Sequence, residues 1–299
     1  MFTFSVAKNT YLEDESHVNY LFNTKAYIHS KSPTDFYLLT VNKGNEVQAS
    51  LYIFQHENHF FSPLKATFGR IEYVTEDAAA YLFTQMRAWL DKQTFSSFQL
   101  SLLPDFLIKD KLSYSDFDRC MIDKNYHIPI SSKAFEQGIH KSALRRLNKC
   151  LKHDFSCSLW QKPDVNFVYD FICKARKRKN YPMTMQRGDF ETMFEVLPTH
   201  YLVFVVKQAE EIAALGVTVK LSEDILYHFY PADAADFLHY SPSILLHKGI
   251  YEYCQENDYT YLDLGIATDK GVDNLGLIRF KENLGAVVSQ KKTYTLTNE

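Results

Sequence analysis

The sequence predicts an α/β protein with mixed α+β sheets, built from two successive copies of one unit. A β-hairpin pattern in the first half recurs in the second half. Each hairpin is followed, in the same order, by a third extended run, an amphipathic helix and another strand. With 299 residues and 46% hydrophobic content, the chain has enough apolar surface for the cores of two domains. The alternative is a chance likeness between two ordinary α/β halves.

Alternating apolar and β-branched residues mark the strands of the first half. These strands are predicted at 2–6, 37–43, 47–54, 59–61, 98–102 and 126–130. Thr75, followed by Glu76 and Asp77, is an N-cap pattern that predicts the start of the helix before strand 98–102.

The second half repeats this order. Its strands are predicted at 155–159, 201–207, 212–219, 225–230, 261–264 and 287–296. Ser243 is predicted to open the helix whose apolar stripe contains Leu246, Ile250, Tyr253 and Cys254. The repeat predicts an N-terminal domain at 1–133, a basic inter-domain helix at 134–153, and a C-terminal domain at 154–299.

Composition and motif content narrow the class of protein. A net charge of −3 argues against a general nucleic-acid binder. The five cysteines are an odd number without metal-ligand spacing, so we expect a reduced cytoplasmic protein without a metal site. No signal-peptide pattern or long apolar run predicts secretion or a membrane span. Hydrolase elbows, zinc-protease motifs and kinase motifs are missing from the sequence, so we do not expect those activities.

The helix predicted at 274–285, capped at its start by Asn274, places a lysine on its apolar side. At 100° per residue, Lys281 projects between Leu277 and Ile278, whereas Arg279 points the other way. A lysine in this position snorkels to the edge of the apolar surface, pairs with an anion, or bears a desolvation cost at a functional site.

Three motifs in the second half resemble those of the FemAB-like N-acyltransferases. YSPSILL at 240–246 resembles the family loop YSPG-x-LL, and YLDLG at 261–265 resembles its strand end Y-x-D-G. GLIRFKENLG at 276–285 resembles the family helix G-L-x-x-F-K-x-x-F-G, and the order and spacing of the motifs agree. The resemblance implies tandem duplicated GNAT-like domains, the second of which, at 154–299, carries the active cleft. It also implies transfer of an acyl group, as in the acetyltransferase-like relatives, or of an aminoacyl group, as in the cell-wall enzymes.

The sequence departs from the family pattern in ways that affect the donor. Ser243 and Leu284 replace a glycine and a phenylalanine of the motifs, and residues 233–243 contain no glycine. The glycine-rich loop by which CoA-dependent members hold pyrophosphate is therefore missing. Phosphate is expected instead at the start of the Ser243 helix, with Ser241. Acyl-CoA and aminoacyl-tRNA remain the alternative donors, and the lack of a coiled-coil arm disfavours tRNA.

Acyl transfer to an amine needs a proton acceptor, a group that stabilises the oxyanion, and cations that hold the leaving group. Lys281 is the candidate for binding donor phosphate or the oxyanion, and Asp263 for orienting the amine or accepting its proton. His228 and Tyr240 are further candidates, Tyr240 as a proton donor to the leaving group. The ordinary alternatives are a turn cap at Gly265 for Asp263 and core packing for His228.

Basic residues follow one face of the helix predicted at 140–153. Lys141, Arg145 and Lys149 share this face, and we expect Arg145 and Arg279 to line the cleft that binds a phosphorylated donor or acceptor. A solvated helix face is the alternative. The sequence therefore predicts a bacterial-type N-acyltransferase that acts on a small-molecule amine. The alternative is a non-catalytic domain pair that binds a metabolite or a protein.

Overall fold

The computed structural model describes residues 1–108, 112–269 and 271–298. The chain divides into two compact units. Unit 1 comprises Met1–Lys124, Lys270–Val272 and Ser289–Glu299, and unit 2 comprises Asn125–Asp269 and Asp273–Val288. Residues 134–153, predicted as an inter-domain helix, fall within unit 2. In the described ranges, no helix combines the length and the apolarity that crossing a membrane requires.

Unit 1 is a mixed sheet with one long helix. Its elements up to residue 104 are β1 (Thr3–Lys8), α1 (Lys25–Ser30), β2 (Phe36–Lys43), β3 (Glu46–His56), β4 (His59–Ser62), β5 (Glu72–Tyr73), α2 (Glu76–Leu90) and β6 (Ser97–Pro104). The predicted hairpin is β2 and β3; β1 adds to β2, and β4 pairs antiparallel with β3 and parallel with β6. Thr75 caps α2 as predicted, because its side chain accepts a hydrogen bond from Ala78 N–H.

Unit 2 repeats this plan. The remaining elements of the chain are β7 (Arg119–Pro129), α3 (Phe135–Gly138), α4 (Lys141–Lys152), β8 (Phe155–Leu159), α5 (Val165–Arg178), α6 (Arg187–Val196), β9 (Tyr201–Gln208), β10 (Glu211–Lys220), β11 (Ile225–Asp233), α7 (Pro242–Glu256), β12 (Tyr261–Ile266), β13 (Thr268–Asp269), β14 (Val272–Asp273), α8 (Leu275–Asn283) and β15 (Val287–Thr297). Hairpin β9–β10 matches β2–β3, and the parallel pair β11–β12 matches β4–β6. The predicted mixed α/β class and the repeated order of elements are confirmed.

The closing strand of each repeat pairs with a strand from the other repeat in the sequence. Residues 125–129 of β7 pair antiparallel with β12 within unit 2. Residues 291–297 of β15 pair antiparallel with β6 within unit 1. The two units are therefore not consecutive in the sequence. Hydrophobic periodicity identifies a strand but not its partner, so the sequence alone does not show this exchange.

Helix α7 forms much of the core of unit 2. Of the predicted stripe, Leu246, Ile250 and Cys254 are fully buried and Tyr253 is half-buried. The helix begins at Pro242, with Ser241 as the N-cap residue in the left-handed conformation, so the predicted start at Ser243 is wrong. Proline is favoured at the first helical position because its missing N–H has no intrahelical partner there.

Gly249 lets α7 lie close to β8, since a Cβ atom built at this position would be 2.9 Å from Cys157 Cβ. Gly188 in α6 has nothing within 4 Å of the equivalent point. Gly249→Ala is expected to lower the free energy of unfolding by about 1–3 kcal/mol through overpacking. Gly188→Ala is expected to leave it unchanged or to raise it by up to about 1 kcal/mol. Urea unfolding measures both changes, and equal effects would contradict the close packing.

Candidate functional site

The parallel strands β11 and β12 part in the middle of the sheet of unit 2. They pair from Ile225↔Tyr261 to Tyr227↔Asp263. Beyond this pair, β11 continues along β10 to Asp233 and β12 continues to Ile266. We call this place, residues 227–233 with 263–266, the strand split. Ligands of open sheets collect where neighbouring strands diverge, so the strand split is the candidate site.

The matching strand pair of unit 1 leaves no such opening. Beyond the last β4–β6 pair, Gly69 lies beside β6: its N–H donates to Ser101 O at 2.9 Å, and its carbonyl accepts from Leu103 N at 2.9 Å. Phe68, the residue before it, is fully buried. The chain itself occupies this position in unit 1, which favours unit 2 as the location of a site.

Lys281 extends from α8 into the strand split. Asn274 caps α8, since its Oδ1 accepts from Leu277 N at 3.1 Å, as the sequence predicted. Lys281 is only 5% exposed, and its Nζ donates to the carbonyl oxygens of Gly265 and Ile266, both at 2.8 Å. The snorkelling alternative is therefore wrong, because both the stem and the amine are buried.

Gly265 gives β12 the turn that presents these carbonyl groups. Its φ is +72°, in the left-handed region that favours glycine. A Cβ atom at this position would also lie 3.2 Å from the ring of Tyr227. Both the backbone conformation and the neighbouring ring explain why glycine ends the YLDLG motif.

The two carbonyl groups limit the protonation chemistry of Lys281. A neutral amine has two N–H donors and one lone pair, whereas an ammonium has three N–H donors. With Gly265 O and Ile266 O each taking one donor, a single position remains, which is a lone pair in the neutral form and an N–H in the charged form. Burial lowers the pKa of Lys281 to about 7, although nearby Asp263 acts to raise it. Both forms are therefore available near neutral pH.

Asp263 is fully buried beside the same turn. Its Oδ1 accepts from Asn125 Nδ2 at 2.8 Å and from Gly265 N at 2.9 Å. The bond to Gly265 N is the turn cap named as the ordinary alternative for this residue. Oδ2 has no hydrogen-bond partner among the described residues. Burial raises the pKa of Asp263 to about 6, against the hydrogen bonds and the charge of Lys281, which lower it.

His228 forms a buried pair with His247. His247 Nδ1 lies 2.6 Å from Ser243 O, and a carbonyl only accepts, so Nδ1 carries the proton. His247 Nε2 then accepts from His228 Nδ1 at 3.1 Å. Burial lowers the pKa of His228 well below its usual value and that of His247 to about 4. Two neutral rings of fixed tautomer support the core-packing alternative for His228, and the carbonyl of Ser243 holds the pair.

The other predicted site residues have their contacts elsewhere. The Tyr240 ring packs against His153 and Phe155, and Lys149 Nζ lies 5.0 Å from its centre. Arg145 is exposed on α4. The side chain of Ser241 makes no capping hydrogen bond to α7.

Arg279 lines a cavity of about 130 Å³ together with Arg146, the neighbour of the predicted Arg145. Because successive helical residues differ by 100°, only one of the two α4 arginines lines this cavity.

Two residues near the site were missed by sequence reasoning. Asn125 lies 138 positions from Asp263, and nothing local in the sequence indicates that the two side chains meet. His247 did carry a signal, because it precedes Ile250 and Cys254 by three and seven positions on the apolar stripe of α7. A histidine in that register predicts a buried ring.

These features define a tandem GNAT-like α/β protein with the FemAB-like fold. No family model and no curated protein matches the chain. Solved structures do match. FemX matches with a TM-score of 0.68 and 13% identity, over 95% of this chain and 94% of that chain. The C-terminal domain of a putative lysylphosphatidylglycerol synthetase from Agrobacterium fabrum matches with a TM-score of 0.62 and 12% identity, over 84% and 82%.

A tandem GNAT protein from the clavulanic acid biosynthesis pathway matches with a TM-score of 0.53 and 10% identity, over 99% of this chain and 98% of that chain. At these identities the matches establish the fold, and the fold is the one that the motifs at 240–285 predict.

The buried amine should make stability depend on pH. Lys281 titrates at its ordinary value of 10.5 in the unfolded chain and at a pKa of about 7 in the folded one. Between these values only the unfolded chain binds the proton, so the free energy of unfolding rises with pH, by up to about 1.4 kcal/mol per unit. Urea unfolding from about pH 7 to about pH 10 should show this rise, and Lys281→Met should remove it.

Lys174→Met, at an exposed position on α5, is the matched control and should keep the wild-type dependence. If the free energy of unfolding depended on pH in the same way in the wild type and in Lys281→Met, the buried, neutral amine would be contradicted.

Proposed function

We propose that the protein is an N-acyltransferase that transfers an acyl or aminoacyl group from an activated donor to an amine at the strand split of unit 2. The observation that carries this proposal is the buried Lys281, held by two carbonyl groups with one position left for a proton. The FemAB-like fold and the resemblance of 276–285 to the family helix support it.

Attack of the amine nitrogen on the acyl carbon forms the N–C bond and leaves an extra proton on that nitrogen. Neutral Lys281 takes this proton at its one remaining position. Asp263 Oδ2, the carboxylate oxygen without a partner among the described residues, orients the amine by accepting another of its N–H groups. The burial of both groups strengthens these interactions, because the local dielectric is low.

Charged Lys281 then has an N–H where the lone pair was. This N–H stabilises the oxyanion of the tetrahedral intermediate. As the bond from the acyl carbon to the donor breaks, the same proton passes to the leaving sulfur of a thioester or the leaving oxygen of an ester. The amine loses one proton, the leaving group gains one, and Lys281 returns to its neutral form.

The segment before α7 does not fit the pyrophosphate of coenzyme A in the manner of a glycine-rich loop. Pro242 has no N–H, and the N–H groups of Ser241 and Ile244 already donate to Leu238 O and Ser241 O. We therefore expect other groups to hold the donor phosphate, whether the donor is acyl-CoA or aminoacyl-tRNA.

Loss of the lysine should slow turnover strongly. Lys281→Met is expected to lower the rate by about 10²–10⁴-fold, the usual contribution of a positioned acid–base group. Asp263→Asn keeps the size of the side chain but removes the carboxylate, and should also slow transfer. The measurement is amide formation from acetyl-CoA and from aminoacyl-tRNA with a panel of small amines.

In the wild type, the rate with the working donor should rise as the pH passes through about 7, the pKa of Lys281, because the neutral amine is the proton acceptor. The exposed Lys174→Met variant should retain full activity. Undiminished turnover in Lys281→Met would show that the proposed site is wrong. Failure of the wild type to use either donor, with a ligand that still raises the melting temperature, would favour the non-catalytic alternative.

A further inference from the structure

We propose that the cavity lined by α4, α7 and α8 binds a phosphate group; under the proposed function, this is the phosphate of the acyl donor. The cavity has a volume of about 130 Å³. The side chains that bear on its chemistry are Ser142 and Arg146 from α4 and Arg279 and Asn283 from α8. We call it the arginine cavity.

The charge of the arginine cavity is uncompensated. No lining residue is acidic, and in the described part of the chain neither Arg146 nor Arg279 has an ion-pair partner within 4.0 Å. Two guanidinium groups at one concavity repel each other unless an anion lies between them. Phosphate suits them because its oxygens accept the parallel N–H donors of the planar guanidinium fork.

The helices that form the cavity add to this preference. Ser142 is the second residue of α4, and Ile244 lies in the first turn of α7, so the positive ends of two helix dipoles are near the cavity. The amide of Asn283 supplies a neutral hydrogen-bond donor at the same wall, whereas the hydroxyl of Ser142 lies 2.8 Å from His140 Nδ1. The helix dipoles and this amide therefore favour an anion.

Backbone contacts join the helices that form the wall of the cavity. His140 N–H donates to Asn283 O at 2.9 Å, which joins the start of α4 to the end of α8. The backbone of Gly285 also lies against that of Gly138, so closely that a Cβ atom at position 285 would meet Gly138 O. The two arginines therefore extend from helices that hold each other in place, as a preorganised site requires.

The size of the cavity indicates which part of a ligand enters. Pockets for whole small molecules have volumes of roughly 300–1,000 Å³. A cavity of about 130 Å³ takes a phosphate-sized group while the rest of the ligand lies outside. Helix α8 also connects this cavity to the reaction site, since Arg279 lines the cavity and Lys281, two residues later, reaches the strand split.

The test compares three substitutions on the same protein. All three arginines are exposed, but only two line the cavity. Arg146→Gln and Arg279→Gln remove one guanidinium each from the cavity, whereas Arg145→Gln removes a neighbouring charge that does not line it. Calorimetric titration with inorganic phosphate should show saturable binding by the wild type. Each cavity variant should weaken it about tenfold, a typical effect for one charge-assisted contact. Arg145→Gln should bind within about twofold of the wild type, because Arg145 does not line the cavity and solvent and salt screen its charge.

Further titrations identify the source of the phosphate. Coenzyme A and pantetheine, which lacks phosphate, are compared with each other and with deacylated tRNA, in wild type and variants. If the wild type binds coenzyme A more tightly than pantetheine and Arg146→Gln does not, the cavity is assigned to a CoA donor. For tRNA, the measured quantity is the slope of the logarithm of the affinity against the logarithm of the salt concentration. If this slope falls in magnitude by about one in each cavity variant, the cavity is assigned to a tRNA donor.

The proposal would be overturned if Arg146→Gln and Arg279→Gln bound inorganic phosphate as tightly as the wild type. It would also be overturned if Arg145→Gln lost as much phosphate affinity as the cavity variants. The same titrations on Lys281→Met separate this inference from the proposed function. Phosphate binding that depends on Arg146 in a protein without turnover supports the cavity and rejects only the catalytic role. Turnover that is insensitive to both cavity substitutions rejects the donor role of the cavity and leaves the catalytic role standing.

Discussion

The hydrogen bonds from Lys281 Nζ to the carbonyl groups of Gly265 and Ile266 are the interaction on which the site depends. Where β12 leaves β11, its carbonyl groups need new donors, and a buried carbonyl without one costs about 1–3 kcal/mol. Lys281 supplies these donors from a neighbouring helix. The same burial that makes the amine a structural donor lowers its pKa to about 7. Structural support and the proposed proton transfer therefore depend on the same contact.

The two units differ at the position of the strand split, in the part of the chain that the structure describes. In both units a segment that contains a helix connects the two strands of the parallel pair, with α2 between β4 and β6 and α7 between β11 and β12. In unit 1, however, Gly69 takes the place beside β6. In unit 2 the corresponding strands stay apart, and Lys281 and Asp263 occupy the region. A duplicated fold can keep the stability of both copies while only one retains the opening for chemistry. This division is consistent with function residing in sites placed on a fold rather than in the fold itself.

The sequence predicted the features that depend on local pattern. Hairpin periodicity, the Thr75 and Asn274 caps and the apolar side of α8 all follow from residues close in the chain, and the FemAB-like motifs indicated the fold. Contacts between distant residues were not predictable, because no local signal specifies a partner. The bond between Asn125 and Asp263 and the exchange of β7 and β15 belong to this class.

The position of Arg146 was missed for a different reason. Helical periodicity placed Arg145 on a basic face but did not show which flank of that face lines a cavity. The start of α7 was placed too late in the sequence, because Pro242 is already its first helical residue.

The most direct measurement is the protonation midpoint of the Lys281 amine in the folded protein. Nitrogen-15 NMR of lysine-labelled protein, with Lys281→Met to assign the resonance, reports this value without requiring a known substrate. A midpoint near 7 is predicted, because burial outweighs the opposing effect of Asp263. A midpoint near the ordinary 10.5 would mean that the amine stays charged at neutral pH. Lys281 would then not be the proton acceptor, and the mechanism proposed for the strand split would be wrong.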